Sequence, residues 1–131
     1  MVATLTVRDE TAGGARSEKI ELQFPSETIT VREIIRERVY QEVQDYNRWK
    51  GEMFRGLVQP SGSEVALNGY RIARGREVDW KQQFEQACAA YASNRILVLA
   101  GDHQTESLDE TITITRGVEV TFLKLTPLVG G

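Results

Sequence analysis

Residues 3–9 alternate between apolar and polar side chains. Ala3, Leu5 and Val7 fall on one side of an extended chain, and Thr4, Thr6 and Arg8 on the other. That period of two predicts a half-buried strand. Residues 18–24 alternate again, with Ile20, Leu22 and Phe24 on one face. Between them lies Thr11-Ala12-Gly13-Gly14, where glycine accepts backbone angles closed to other residues. The two runs predict an antiparallel hairpin with a connection longer than the tightest turns. Pro25 ends the second run.

The period then changes. Val31, Ile34, Ile35, Val39, Val43 and Tyr46 recur at helical spacing, while Glu33, Arg36, Glu37, Glu42 and Arg48 take the other positions. Thr30-Val31-Arg32-Glu33 fits a capping box, in which Thr30 and Glu33 satisfy free N–H groups at a helix start. A helix is predicted from residue 31 to about 48. Residues 50–63 hold Gly51, Gly56, Pro60, Ser61, Gly62 and Ser63, a density of breakers that predicts a loop. Met53, Phe54, Leu57 and Val58 within it are apolar enough to dock on a core. Residues 64–78 admit two readings. Asn68-Gly69 either turns a hairpin between Val65-Ala66-Leu67 and Tyr70-Arg71-Ile72 or ends a short helix.

Asp79-Trp80-Lys81-Gln82 is a second capping-box candidate, and Trp80, Phe84, Ala87, Cys88 and Tyr91 form a second helical stripe. A helix over 80–93 with Asn94 as a left-handed stop is predicted. Ile96-Leu97-Val98-Leu99 is apolar throughout and too short for a helix, which suits a strand covered on both faces. Gly101-Asp102 turns the chain, Ile112 and Ile114 suggest a short strand, and Arg116-Gly117 suggests another turn. Strict alternation through Val118-Glu119-Val120-Thr121-Phe122 predicts a final strand over about 118–125. Thr126-Pro127-Leu128-Val129-Gly130-Gly131 follows, and a tail is expected there.

The order is strand, strand, helix, an inserted loop and helix, then three strands, which on physical grounds is an α+β domain. The chain has 131 residues, 40% hydrophobic and 27% charged, enough for one domain with its own core. That balance excludes collagen-like, low-complexity and fully disordered readings. Sixteen basic and nineteen acidic residues leave a net charge of -3, which gives no field that would draw the chain to nucleic acid or an anionic membrane. One cysteine forms no internal disulfide, so a reducing compartment is its natural setting. With one histidine as well, a zinc or Cys/His catalytic site would need a partner chain. No apolar run approaches the roughly 18 residues of a membrane span. Met1-Val2-Ala3-Thr4 lacks the basic start of a secretion signal. A cytoplasmic location is expected.

The last segment carries the most information. Leu108-Asp109-Glu110-Thr111-Ile112, then Arg116-Gly117-Val118-Glu119-Val120, then Pro127 and Gly130-Gly131, resembles the end of ubiquitin-like β-grasp proteins. It is similar in particular to the small sulfur-carrier proteins of molybdopterin and thiamine synthesis, with their acidic turn, Gly-x-Glu/Asp-Val strand, proline and Gly-Gly end. The likeness is clearest over about 105–131 and extends more weakly to the first hairpin and helix. It does not cover about 49–95. Bacterial ubiquitin-like proteins encoded beside conjugation machinery carry such elaborations, and the chain resembles them too.

The resemblance implies a β-grasp domain over residues 1–125, a mixed sheet packed on a helix with an insertion at about 49–95, and a flexible tail over 126–131. It implies a passenger protein and not an enzyme. A partner activating enzyme would use ATP to adenylate the carboxylate of Gly131, and no cofactor would be bound by the chain itself. Gly130 would give the partner access, because a residue without a side chain permits close approach. Leu125, Thr126, Pro127, Leu128 and Val129 would lie extended along the partner's groove. A modifier would then pass as a thioester, through a conjugating enzyme, to a target protein, and a deconjugating protease would complete the set of partners. A sulfur carrier would instead form a thiocarboxylate for cofactor biosynthesis, and a β-grasp binding module would not react at all. The segment absent from carriers favours the modifier, since extra surface suits selective docking.

Other residues have plainer readings. Cys88 sits on a helical stripe with Phe84 and Tyr91, which predicts a buried, inert thiol. His103 is expected on the surface with no second ligand. Asp109 and Glu110 are adjacent and point apart if extended, so a paired-carboxylate acid/base site is not expected, and Asp109 shapes a turn. Arg71, Arg74 and Arg76 form a local basic cluster best read as solvated. Lys19, Lys50, Lys81 and Lys124 are the lysines on which a second copy could be attached. Trp49, Met53, Phe54 and Trp80 are expected to pack on the core.

Overall fold

The computed structural model describes residues 2–17, 19–49, 53–66, 69–73, 76–115 and 118–125. The elements are β1 (Ala3–Thr11), β2 (Ile20–Phe24), β3 (Thr28–Thr30), α1 (Val31–Trp49), β4 (Met53–Phe54), β5 (Glu64–Ala66), β6 (Gly69–Arg71), α2 (Trp80–Ala92), β7 (Ile96–Ala100), β8 (His103–Gln104), β9 (Thr111–Thr113) and β10 (Glu119–Lys124). The chain divides into two compact units, one of residues 1–34 and 89–131, the other of residues 35–88. The second unit takes in most of the segment the sequence marks as an elaboration.

In the first unit the five-stranded sheet has the order β2-β1-β10-β7-β8. β1 and β2 pair antiparallel, with Leu5 opposite Leu22 and Ala3 opposite Phe24. The last strand, β10, inserts beside the first and runs parallel to it, from Thr6 opposite Glu119 to Thr11 opposite Lys124. Its other edge pairs antiparallel with β7, Phe122 facing Val98. This register places Leu5, Val7, Leu22, Phe24, Ile96, Val98, Val120 and Phe122 on one face, and all are buried. Each such side chain contributes roughly 1.5–3 kcal/mol by leaving water. Parallel partners need a long crossover, which residues 12–118 supply. Ile20, expected on the same face, is 39% exposed at the outer end of the edge strand.

The polar face of the sheet is held by charge. Arg8 and Lys19 both approach Glu119, at 3.5 and 3.6 Å. A second pair of strands, β3 and β9, sets Ile29 against Ile112, both buried. β3 and β8 are not legible in the sequence, because two or three residues carry too short a pattern to have a period. In β7 only Ile96 and Val98 are buried, while Leu97 and Leu99 are half-buried, so the strand is less fully covered than its composition predicts.

The start of α1 is capped as predicted, and more strongly. The Glu33 N–H donates to Thr30 Oγ1 at 3.1 Å. The Val31 and Arg32 N–H groups donate to the carbonyls of Glu110 and Leu108, both at 3.0 Å. Three of the otherwise orphaned donors of a helix start are thus satisfied within the first unit. Glu33 does not complete the reciprocal box; the Thr30 hydroxyl donates to its carboxylate instead.

The second unit has the small antiparallel sheet β4-β6-β5. Val65 and Phe54 flank Tyr70 across it, and the Phe54 ring meets Tyr46 of α1 edge-on at 5.4 Å. β5 and β6 pair antiparallel, as the hairpin reading of this stretch expects; Leu67 and Asn68 lie outside the described residues, as do the Arg116-Gly117 turn and Arg74. It also places a strand at Met53–Phe54, inside the segment predicted as loop. Arg38 is only 2% exposed and is neutralised one turn on by Glu42 at 2.5 Å. The second Glu42 oxygen accepts the Leu57 N–H. Asn47 binds both backbone groups of Val78. The start of α2 is capped by Asp79, whose carboxylate accepts the Lys81 N–H, while Gln82 turns to Ser61 and leaves the predicted box half made. Trp80 stacks edge-on against Tyr40 with Arg36 over its ring. Trp49 departs from expectation: it is 79% exposed, because the last turn of α1 carries it past the buried stripe.

Gly56 is fixed by close approach. A Cβ there would enter the ring of Phe54, itself 2% exposed and unable to retreat. Gly56→Ala should therefore lower stability by about 1–3 kcal/mol in denaturant titration of the whole chain. An unchanged midpoint would show that the Phe54 ring has room to move.

Candidate functional site

β10 ends where the informative segment begins. Lys124 is its last residue, and its carbonyl accepts the Ala12 N–H at 3.2 Å while its ammonium reaches Asp9 at 3.5 Å. Leu125 is half-buried and donates its N–H to the Arg95 carbonyl at 2.9 Å. Arg95 is itself held, its N–H donating to Ala90 at the end of α2. Asn94 sits at φ 60°, the left-handed stop the sequence predicts. The base of the segment is thus tied on two sides by backbone hydrogen bonds. Of the residues expected to act, Leu125 is placed; Thr126, Pro127, Leu128, Val129, Gly130 and Gly131 lie outside the described residues.

Across β7 from this base is a half-open cavity of about 240 Å³, lined by residues that include Tyr91, Asn94, Ile96, Leu97, Gln104 and Glu106. Thr105, also in its lining, donates its hydroxyl to the Val98 carbonyl at 2.8 Å. With that proton committed, the 2.8 Å contact between the Tyr91 and Thr105 hydroxyls is made by the Tyr91 proton. Burial, more than any other cause, pushes the Tyr91 phenol up, and the carboxylates of Glu110 and Glu106 push it the same way.

Above the strands, the segment from His103 to Glu110 closes on itself. One oxygen of Glu110 accepts the Glu106 N–H at 2.8 Å and the other meets His103 Nε2 at 2.7 Å. Asp109 bonds Arg32 of α1. The His103 ring therefore has a carboxylate partner that its place in the sequence does not announce. Asp109 and Glu110 bond to different elements, Asp109 to α1 and Glu110 to β8.

The remaining candidates scatter. Cys88 is half-buried and not the fully enclosed thiol expected, because it lies at the edge of its helical stripe. Arg71 and Arg76 are exposed. Lys19 and Lys124 are engaged in ion pairs, Lys81 is exposed, and Lys50 lies outside the described residues. Among the described residues no three His, Cys, Asp or Glu side chains gather as a metal site. No described helix is long and apolar enough to cross a membrane. The Arg95 carbonyl and the Tyr91–Thr105 pair went unforeseen in the sequence: the first is backbone and carries no residue signature, and the second joins groups from two separate elements.

Comparison with family models, curated proteins and solved structures finds no match for the chain.

The Glu106 N–H, more than any other cause, holds the Glu110 carboxyl below its ordinary range; the His103 hydrogen bond adds to it, burial opposes it, and the His103 charge adds the least. A carboxyl lowered in the folded state stabilises the fold above its unfolded pKa and loses that contribution as pH falls through the folded one. Glu110→Gln should therefore melt below the parent protein at about pH 6, and the gap should close as pH falls below the ordinary glutamate value of about 4.3. Thermal melts across that range check it. A gap that widens on acidification would contradict the assignment.

Proposed function

We propose that this chain is a ubiquitin-like β-grasp modifier, activated by adenylation of Gly131 and carried through a thioester to a target protein. The observation that carries the reading is the strand order β2-β1-β10-β7-β8, with an N-terminal antiparallel hairpin and the last strand central and parallel to the first. A β-grasp domain has this arrangement, and its consequence is chemical. A central last strand is bonded on both edges, so the residues after it start from a rigid base. Here those residues read Thr126-Pro127-Leu128-Val129-Gly130-Gly131.

A carboxylate is a poor electrophile, and adenylation supplies the leaving group. The tail must reach a nucleotide held inside a partner. Glycine at the last two positions presents backbone with no side chain to obstruct that approach. Leu125 to Val129 would be read by backbone hydrogen bonds and alternate side-chain pockets. The unit of residues 35–88 supports a modifier over a sulfur carrier, since a carrier needs only a compact body and a tail.

Intact-mass analysis of the chain recovered from its native host tests the proposal. Covalent adducts through the C-terminus are expected, and they should disappear when Gly131 is deleted while the far-ultraviolet spectrum stays unchanged, because a tail contributes little core. A product in which sulfur has replaced one oxygen would point to the sulfur carrier instead. An unmodified chain in the presence of an active adenylating enzyme would overturn both, leaving a binding module.

A further inference from the structure

The cavity across β7 from Leu125 has a chemistry of its own. At about 240 Å³ it falls below the 300–1,000 Å³ that drug-sized ligands occupy, and suits one side chain. Ile96 and Leu97 give it aliphatic lining. Around them stand oxygen acceptors. The Tyr91 hydroxyl has its proton committed to Thr105 and keeps its lone pairs. Asn94 and Gln104 bring side-chain amides, each with an acceptor and a donor end. Among the described lining residues Glu106, itself exposed, brings the one formal charge; its N–H is bound to Glu110, and its carboxylate has no ion pair among the described residues. No described lysine or arginine lines the cavity.

An aliphatic wall, several acceptors and one unpaired carboxylate match an alkylammonium group, which has an apolar stem and three donors. The carboxylates of Glu110 and Glu106 both act to raise the Tyr91 phenol, so they stand near its hydroxyl. Location adds the partner. Asn94 and Ile96, which line the cavity, flank the Arg95 carbonyl that holds Leu125. A protein gripping the following residues would lie against this surface.

We infer that the cavity is a subsite for a lysine side chain, presented by the protein that grips the segment after Leu125. The identity of that protein rests on the function proposed above; the preference for an alkylammonium does not.

Titration of the isotope-labelled whole chain with n-butylammonium, followed by amide shifts, tests the subsite. Saturable shifts centred on Leu97, Gln104, Thr105 and Glu106 are expected. Glu106→Gln should weaken them up to about fivefold, the range of a solvent-accessible ion pair. Butyrate, with a similar apolar stem and the opposite charge, should give none. Diffuse shifts, equal binding of butyrate, or indifference to Glu106→Gln would overturn the inference. Deleting Gly130 and Gly131 separates the two proposals: butylammonium binding should persist in that variant even though adduct formation is lost. Where adducts form, Glu106→Lys should slow them severalfold, and an unchanged rate would remove the lysine from the tail-gripping partner.

Discussion

The parallel pairing of β10 with β1 is the constraint on which the rest depends. It joins residues more than a hundred positions apart, Thr6 to Glu119 and Thr11 to Lys124, and so cannot form until the intervening chain has folded back. Once formed, it puts Val7, Val120 and Phe122 on the buried face and leaves Arg8 and Glu119 to pair on the other. A slip of one residue would exchange those two sets. The same register fixes where regular structure ends, because β10 is bonded on both sides up to Lys124, and Leu125 then makes one more bond to Arg95.

Much of this was legible in the sequence, for reasons that differ between elements. The hairpin, both helices and the final strand were readable because each repeats its period several times: Ala3-Leu5-Val7, Val31 to Tyr46, Val120-Phe122. Thr30, Asp79 and Asn94 were readable because capping and left-handed backbone demand particular side chains. β3, β4 and β8 were not, since strands of two or three residues leave no period. The clamp of Glu110 on His103 and Glu106 was not legible either, because it depends on the chain doubling back at Ser107–Asp109. Trp49 misled for a related reason: its type suggests burial, while its place at the end of α1 decides exposure. Of the candidate site, the sequence supplied the chemistry of the last residues, and the structure supplied the anchored base at Leu125.

Two features converge on that base. The proposed function needs a fixed point of departure for the residues after β10, and the Lys124 and Leu125 backbone bonds are compatible with one. It also needs a surface that a partner can read, and the cavity at Tyr91, Ile96 and Glu106 lies against the same turn. The segment from His103 to Glu110 ties that surface to the start of α1 through Glu110, Leu108 and Asp109, so the cavity wall and the helix cap are one hydrogen-bonded assembly.

The central claim is that the carboxylate of Gly131 is an acyl group awaiting activation. Exchange of labelled pyrophosphate into ATP, catalysed by extract of the native host, reads the adenylation step before any later transfer. The account predicts that adding the whole chain stimulates exchange and that the chain without Gly131 does not. Equal exchange with both, or stimulation by neither in extract whose adenylating enzymes are active, would contradict it.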